Sequence, residues 1–134
     1  MKGSALRMDK QIYAGEWKLM EKLWDEAPQT LMQLVRTLST EIGWSKSTVA
    51  TMVRRMEAKG LVRFEDGGKA KLIFPAISRE DASQAETDGL IDKVFSGSPG
   101  LLMASLIEKN DFSQKEIDEL YAMLKKAEEA RKNG

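Results

Sequence analysis

From Ser45 to Gly60 the chain reads Ser-Lys-Ser-Thr-Val-Ala-Thr-Met-Val-Arg-Arg-Met-Glu-Ala-Lys-Gly. Val49, Met52, Val53 and Met56 fall at i, i+3, i+4 and i+7, the spacing that gathers side chains on one face of an α-helix. Ser45 can cap the helix start by accepting a hydrogen bond from a backbone N–H two or three residues on. Gly60 supplies the stop, because it reaches positive φ without a Cβ clash. A helix with one dry face must bury it, and its outward face then offers Ser47, Thr51, Arg54 and Arg55, with Lys46 near the start. Small hydroxyls at the opening and adjacent arginines in the middle suit a DNA major groove. There hydroxyls and lysine reach base edges, and arginine pairs guanine bidentately or clamps phosphate. Most amphipathic helices with two arginines are plain surface helices, so the flanking sequence must carry the rest.

Upstream, Gly15 to Glu26 reads as a first helix, with Trp17, Met20, Leu23 and Trp24 at helical spacing and Glu16, Lys18, Glu21 and Lys22 on the wet side. Ala27-Pro28-Gln29 breaks it, since proline disfavours helical geometry in the residue before it. Thr30 caps a second helix, Leu31 to about Thr40, with Leu31, Leu34, Val35 and Leu38 as its stripe. Gly43 supplies the turn into the third helix, and the pair makes a helix-turn-helix pattern.

After Gly60 the period changes from helical to extended. Leu61 to Glu65 and Lys71 to Phe74 are rich in β-branched and aromatic residues, and Asp66-Gly-Gly68 between them has the chemistry of a hairpin turn. Pro75 ends the second strand or sits at an edge. Arg63 lies on the outgoing arm, with Lys69 and Lys71 on the returning one. A basic hairpin directly after such a helix is the winged variant of the helix-turn-helix. Its tip is placed to lie along the backbone or minor groove, where phosphate favours cations.

Ser78-Arg-Glu-Asp81 resembles a capping box and opens a helix to about Phe95. Ser96 to Gly100 reads as a break, and Leu101 to Glu108 as a very apolar short helix. Ser113-Gln-Lys-Glu116 is a capping box opening a last helix with Ile117, Leu120, Tyr121 and Leu124 on one face; the charged tail from Glu128 is expected to fray. Three such helices have too few residues to enclose a core alone, so their apolar faces need another surface. A second copy is the simplest, and packing back on the winged domain is the alternative. The expected seam comprises Leu90, Ile91, Val94, Leu101, Leu102, Leu106, Ile107, Ile117, Leu120, Tyr121 and Leu124.

The 42% hydrophobic and 31% charged content is that of a globular chain. No apolar run approaches the length needed to span a bilayer, and without a signal-peptide core near the N-terminus a cytoplasmic location is expected. With no cysteine and no histidine, disulfides, thiolate catalysis, Cys/His zinc sites and imidazole acid–base chemistry are excluded. The remaining carboxylate pairs (Glu80/Asp81, Asp118/Glu119, Glu128/Glu129) are adjacent on helices and point apart, so they read as caps and solvated charge rather than as an active site. Neither cofactor nor metal is expected, and the methionines and tryptophans read as packing. Residues 1–77 carry 13 Lys/Arg and 9 Asp/Glu, a net of +4, and residues 78–134 carry 8 and 12, a net of −4. Seven of the basic residues fall between Trp44 and Lys71 against three acidic ones, which suggests that the first part meets a polyanion.

From about Ile12 to Leu124 the chain resembles the BlaI/MecI/CopY family of bacterial transcriptional repressors. The resemblance is carried by Glu16-Trp-Lys-Leu-Met-Glu-Lys-Leu-Trp24, by Trp44-Ser-Lys-Ser-Thr-Val with the following Arg-Arg-Met-Glu-Ala-Lys-Gly-Leu-Val, by Phe74-Pro-Ala-Ile-Ser-Arg-Glu80 and by Glu116-Ile-Asp-Glu-Leu120. It implies a homodimer whose paired heads bind a dyad-symmetric operator, held together by the C-terminal helices. By position it carries over Lys46, Ser47, Thr48, Thr51, Arg54 and Arg55 as the recognition set, and Lys69 and Lys71 as backbone contacts of the wing. Copper-responsive members carry C-terminal cysteines that are missing here, so copper sensing is not expected. Resistance repressors are cleaved at an Asn-Phe bond whose place here is taken by Ser105-Leu106, and that route is not carried over.

The expected fold is therefore mainly α with a small β-hairpin wing: a winged helix-turn-helix head and a C-terminal helical dimerisation region. The expected division is a flexible leader over 1–11, the DNA-binding head over 12–77, the dimerisation region over 78–130 and a tail over 131–134. The recognition helix spans 45–59 and the wing 61–75. The competing reading is a winged-helix protein-interaction module, since the same fold also serves partners other than nucleic acid.

Overall fold

The computed structural model describes residues 11–133. The expected leader, apart from Gln11, lies outside the described residues, as does Gly134. The elements run α1 (Ala14–Asp25), α2 (Leu31–Ile42), α3 (Lys46–Ala58), β1 (Val62–Asp66), β2 (Lys71–Pro75), α4 (Arg79–Val94), α5 (Pro99–Lys109) and α6 (Gln114–Asn133). Three helices followed by an antiparallel hairpin make the winged helix-turn-helix, with three further helices after it. Two compact units divide the chain, one ending at Leu90 and the other starting at Ile91.

The core of the first unit is where the helical periods put it. Leu19, Met20 and Leu23 of α1, Leu34, Val35 and Leu38 of α2, and Val49, Val53 and Met56 of α3 are buried together with Leu61, Val62, Ile73 and Ala82. Trp17 and Trp24 pack on its edge and meet edge to face, ring centroids 5.1 Å apart at 74°. The indole N–H of Trp24 donates to the Ile77 carbonyl at 2.9 Å. Arg79 pairs with Asp25 at 3.0 Å and lies over the Trp24 ring. The chain leaving the hairpin is thereby tied to α1.

The start of α2 is fixed by a reciprocal cap: the Thr30 hydroxyl accepts from the Gln33 N–H and the Gln33 carbonyl oxygen accepts from the Thr30 N–H. The hairpin pairs Val62 with Pro75, Phe64 with Ile73 and Asp66 with Lys71. At its turn a Cβ on Gly67 would meet the Ala70 carbonyl oxygen and the Leu72 side chain at 2.6 Å, so only glycine fits. A two-stranded ribbon is marginal alone. Gln29, the residue before the α2 cap, acts as a short third strand: its N–H donates to the Ile73 carbonyl and its carbonyl accepts from the Ile73 N–H. The buried Gln29 side chain donates to the carbonyls of Lys22 and Glu26, which joins α1 to the sheet.

Four expectations need correction. Glu16, read as a wet-side residue, is buried at 6% exposure. It accepts from the Tyr13 N–H at 2.9 Å and from the Lys59 ammonium at 2.6 Å. α2 runs on to Ile42, beyond the expected end near Thr40. α5 starts at Pro99, inside the stretch read as a break, because the Ser98 hydroxyl caps Leu101 at 3.2 Å and proline suits the first helical position. α6 continues through the expected tail to Asn133, helped by cationic Arg131 and Lys132 near its negative end. Its start is the expected capping box, in which Ser113 and Glu116 exchange hydrogen bonds at 3.0 and 3.1 Å. The Ser113 N–H and then its hydroxyl hold the Glu116 carboxyl below the usual carboxylate range.

The bond from Lys59 to Glu16 joins the end of α3 to α1. Removing either partner leaves the other poorly satisfied, so Glu16→Ala and Lys59→Ala are each expected to lower unfolding free energy by about 2 kcal/mol. The double variant should lose about 1 kcal/mol less than the sum of the two. Chemical denaturation of the four proteins measures both, and strict additivity would mean that the pair carries no energy.

Candidate nucleic-acid interface

α3 is held by its inner face and its two ends. At the start the Ser45 hydroxyl accepts from the Thr48 N–H at 3.2 Å, donates to the Thr48 hydroxyl at 3.0 Å and lies 3.1 Å from that of Ser47. The first-turn hydroxyls thus form a small network around the cap. At the far end Gly60 takes φ +80°, which a Cβ would resist, and the chain turns into Leu61. Inward, Val49, Val53 and Met56 are buried, while Met52 is only half-buried and lies with Trp44 against Gly15.

What remains outward is largely the set expected from the sequence. Lys46, Ser47, Thr48, Arg54 and Arg55 are exposed, and Thr51 is half-buried between them. Among the described residues Lys46, Arg54 and Arg55 have no side-chain hydrogen bond or ion pair to a carboxylate. Their charge is therefore not neutralised within the head.

The hairpin sorts its cations differently. Lys69 is exposed in the turn. Lys71, on the first position of β2, sits 5.6 Å from the Phe64 ring centroid. Arg63 pairs with Glu65 two residues along the same strand face and stacks over Phe74 at 4.2 Å. Lys59, counted in the basic excess, is engaged with Glu16 and lies over the Tyr13 ring at 4.4 Å. The outward charge is thus narrower than the sequence count: Lys46, Arg54 and Arg55 on α3, with Lys69 and Lys71 on the hairpin.

The residues expected at a dimer seam lie on the last turns of α4 and on α5 and α6. Leu90, Val94, Leu101, Leu106, Ile107, Tyr121 and Leu124 are exposed large apolar side chains. Ile91, Leu102, Ile117 and Leu120 are half-buried. Between 91 and 133 no described residue is buried. Met103 and Met123 share this exposure; the sequence reading omitted them by treating methionine as core filler. It also missed Glu16 and Gln29, which position α3 and the hairpin. Glu16 carried a signal, because it stands in phase with Leu19, Met20 and Leu23 at i, i+3, i+4 and i+7.

Comparison with known proteins covers most of the chain. The family model described as penicillinase repressor matches residues 13–126. The methicillin resistance regulatory protein MecI of Staphylococcus aureus (strain N315) is 26% identical over 122 residues, spanning 89% of this chain and 99% of that protein. The penicillinase repressor of Bacillus licheniformis is 24% identical over 122 residues, spanning 91% and 95%. Among solved structures, the DNA-binding domain of the repressor BlaI superposes with a TM-score of 0.50 at 26% identity, covering 54% of this chain and 88% of that domain.

The cap on α3 sets both stability and the position of the first-turn hydroxyls. Ser45→Ala is expected to lower unfolding free energy by about 1 kcal/mol, and Ser45→Asp to retain most of it. Denaturant unfolding of both variants tests this; equal stability of the alanine variant and the parent would show that the cap is idle.

Proposed function

The chain belongs to the penicillinase repressor family and is accordingly a DNA-binding transcriptional repressor rather than an enzyme, and we propose that it acts as a homodimer on a dyad-symmetric operator. In this reading residues 12–77 are the DNA-binding head and residues 78–130 the dimerisation region. α3 enters the major groove with Lys46, Ser47, Thr48 and Thr51 toward base edges. Arg54 reads a base or grips phosphate, and Arg55 follows the backbone. Lys69 and Lys71 meet phosphate from the wing, while Arg63, engaged by Glu65 and Phe74, serves mainly to stiffen it. Repression is steric, by occupation of promoter DNA in the cytoplasm.

The observation that carries this reading is the sorting of the head's cations. Lys22, Lys59 and Arg63 each have a carboxylate partner. Lys18, Arg36, Lys46, Arg54, Arg55, Lys69 and Lys71 have none among the described residues, and five of these seven lie on α3 or the hairpin. A polyanion is the partner that such a cluster suits, through phosphate neutralisation and counterion release. The homodimer is supported by the second unit, where apolar side chains of three helices stay exposed around no buried residue. Steric repression needs no cofactor or metal.

The deciding experiment is capture of genomic DNA fragments on purified protein, followed by sequencing. A dyad motif with half-sites about one helical turn apart, or a multiple of it, is expected. No enrichment at low and moderate salt alike would overturn the reading in favour of a protein-interaction module. On the recovered operator Arg54→Ala is expected to cost roughly 1–3 kcal/mol of specific affinity. An equal loss on every sequence would reduce Arg54 to a phosphate contact. Lys69→Ala and Lys71→Ala should each lower the slope of log affinity against log salt by about one unit, and Arg63→Ala by less. An unchanged slope would remove the wing from the interface.

Sedimentation at micromolar concentration without DNA is expected to give a dimer, and Leu106→Glu to shift it to monomer by placing a charge in an apolar seam. A monomeric parent protein would refute the seam.

A further inference from the structure

A groove of about 380 Å³ opens between the start of α2, the middle of α3 and the hairpin. Its walls are apolar: Leu31 and Phe64 are half-buried, and Val53 and Ile73 belong to the core. Two cations, Arg54 of α3 and Lys71 of β2, line it, and no acidic side chain does. The volume falls within the range of small-molecule sites. It exceeds the cavity of about 150 Å³ that accommodates a benzene ring, so a two-ring body is of suitable size.

We propose that this groove is an effector site for a small organic monocarboxylate with an apolar body. The walls favour an apolar body, and the two lining cations favour a single anionic end. Arg54 offers a planar fork matched to a carboxylate. A multiply charged phosphate lacks the apolar surface to cover these walls. The site has a direct consequence, which rests on the reading of α3 and the wing as the DNA-contacting surface. A carboxylate in the groove engages Arg54 and Lys71 at once, and those are the side chains assigned to the operator. Occupancy and DNA binding then compete, and the effector acts as an inducer without cutting the chain.

The test uses the full chain and 2-naphthoate as probe, with 2-naphthalenemethanol as the neutral molecule of the same shape. Titration into nitrogen-15-labelled protein should shift the amides around Leu31, Val53, Phe64 and Ile73, and the alcohol should bind at least about tenfold more weakly. Filling the groove by Ala50→Phe, or from its other side by Ala70→Trp, should abolish these shifts while the rest of the spectrum stays folded. In a second arm naphthoate should release captured genomic DNA from the parent protein over the same concentration range. Shifts that are absent, or spread over the second unit, would overturn the site, and equal binding of the alcohol would overturn the carboxylate. Groove binding that leaves DNA retained would overturn the competition. DNA retention before any naphthoate is added reports the repressor reading separately: if it fails there, that reading and the competition fall together, and the spectra still decide the groove.

Discussion

The C-terminal end of α3 is tied to α1 by the Lys59–Glu16 bond. Glu16 is a buried carboxylate, and taking one out of water is costly unless donors replace the water. Two donors do so here, the Tyr13 N–H and the Lys59 ammonium, and the same ammonium lies over the Tyr13 ring. Such a pair adds little or no net stability over a well-packed apolar replacement. What it fixes is position, because the donors belong to the start of α1 and the end of α3. With the Ser45 cap at the opposite end, α3 is located by its ends and its inner face. None of the outward cations is needed to hold it, so they are left to act on something else.

The hairpin follows the same division. Its inner face is locked by Ile73, which is buried and exchanges two backbone hydrogen bonds with Gln29. Gln29 in turn answers the last carbonyls of α1 through its side-chain amide. A ribbon of two strands thus becomes part of the head, and the turn carrying Lys69 projects from a fixed base. Trp24 and Arg79 secure the other side, where the chain passes from β2 into α4.

Much of this was legible in the sequence, for a physical reason. Periodicity reports which side of an element is dry, and here it located the helices, the hairpin and the outward set on α3. Caps and stops built from neighbouring residues were equally readable, as at Thr30, Ser45, Gly60 and Ser113. What escaped were bonds between residues far apart in the chain. Glu16 and Lys59 are separated by 43 positions; polarity alone put Glu16 in water and Lys59 in the basic excess, although Glu16 stands in phase with the buried stripe. Gln29 looked like part of a break, since nothing local announces that its backbone will pair with Ile73. The pairing of Arg63 with Glu65 was visible in principle, because residues two apart share one face of a strand. The run from Glu128 to Asn133 was misjudged because charge was read as disorder. Lys125 and Glu129 stand one turn apart, a spacing that favours helix.

The second unit poses a different physical problem from the head. A helix apolar on most of its circumference, as α5 is with Leu101, Leu102, Met103, Leu106 and Ile107, is normally enclosed. In the single chain Leu101 and Ile107 remain more than half exposed, and the α6 stripe ends on exposed Tyr121 and Leu124. A symmetric partner would present the same patch to itself, so each of these residues counts twice in the interface. In the proposed dimer, completion of this unit and association become one equilibrium set by protein concentration. The head has its own closed core and does not need that equilibrium to stay folded. Separation of the chains would therefore leave the heads folded and still able to touch DNA. What would be lost is the linkage that makes the second half-site contact intramolecular, and with it the effective concentration on which operator occupancy depends. In that proposed dimer, a signal acting on α5 or α6 would relieve repression without altering any residue proposed to face DNA.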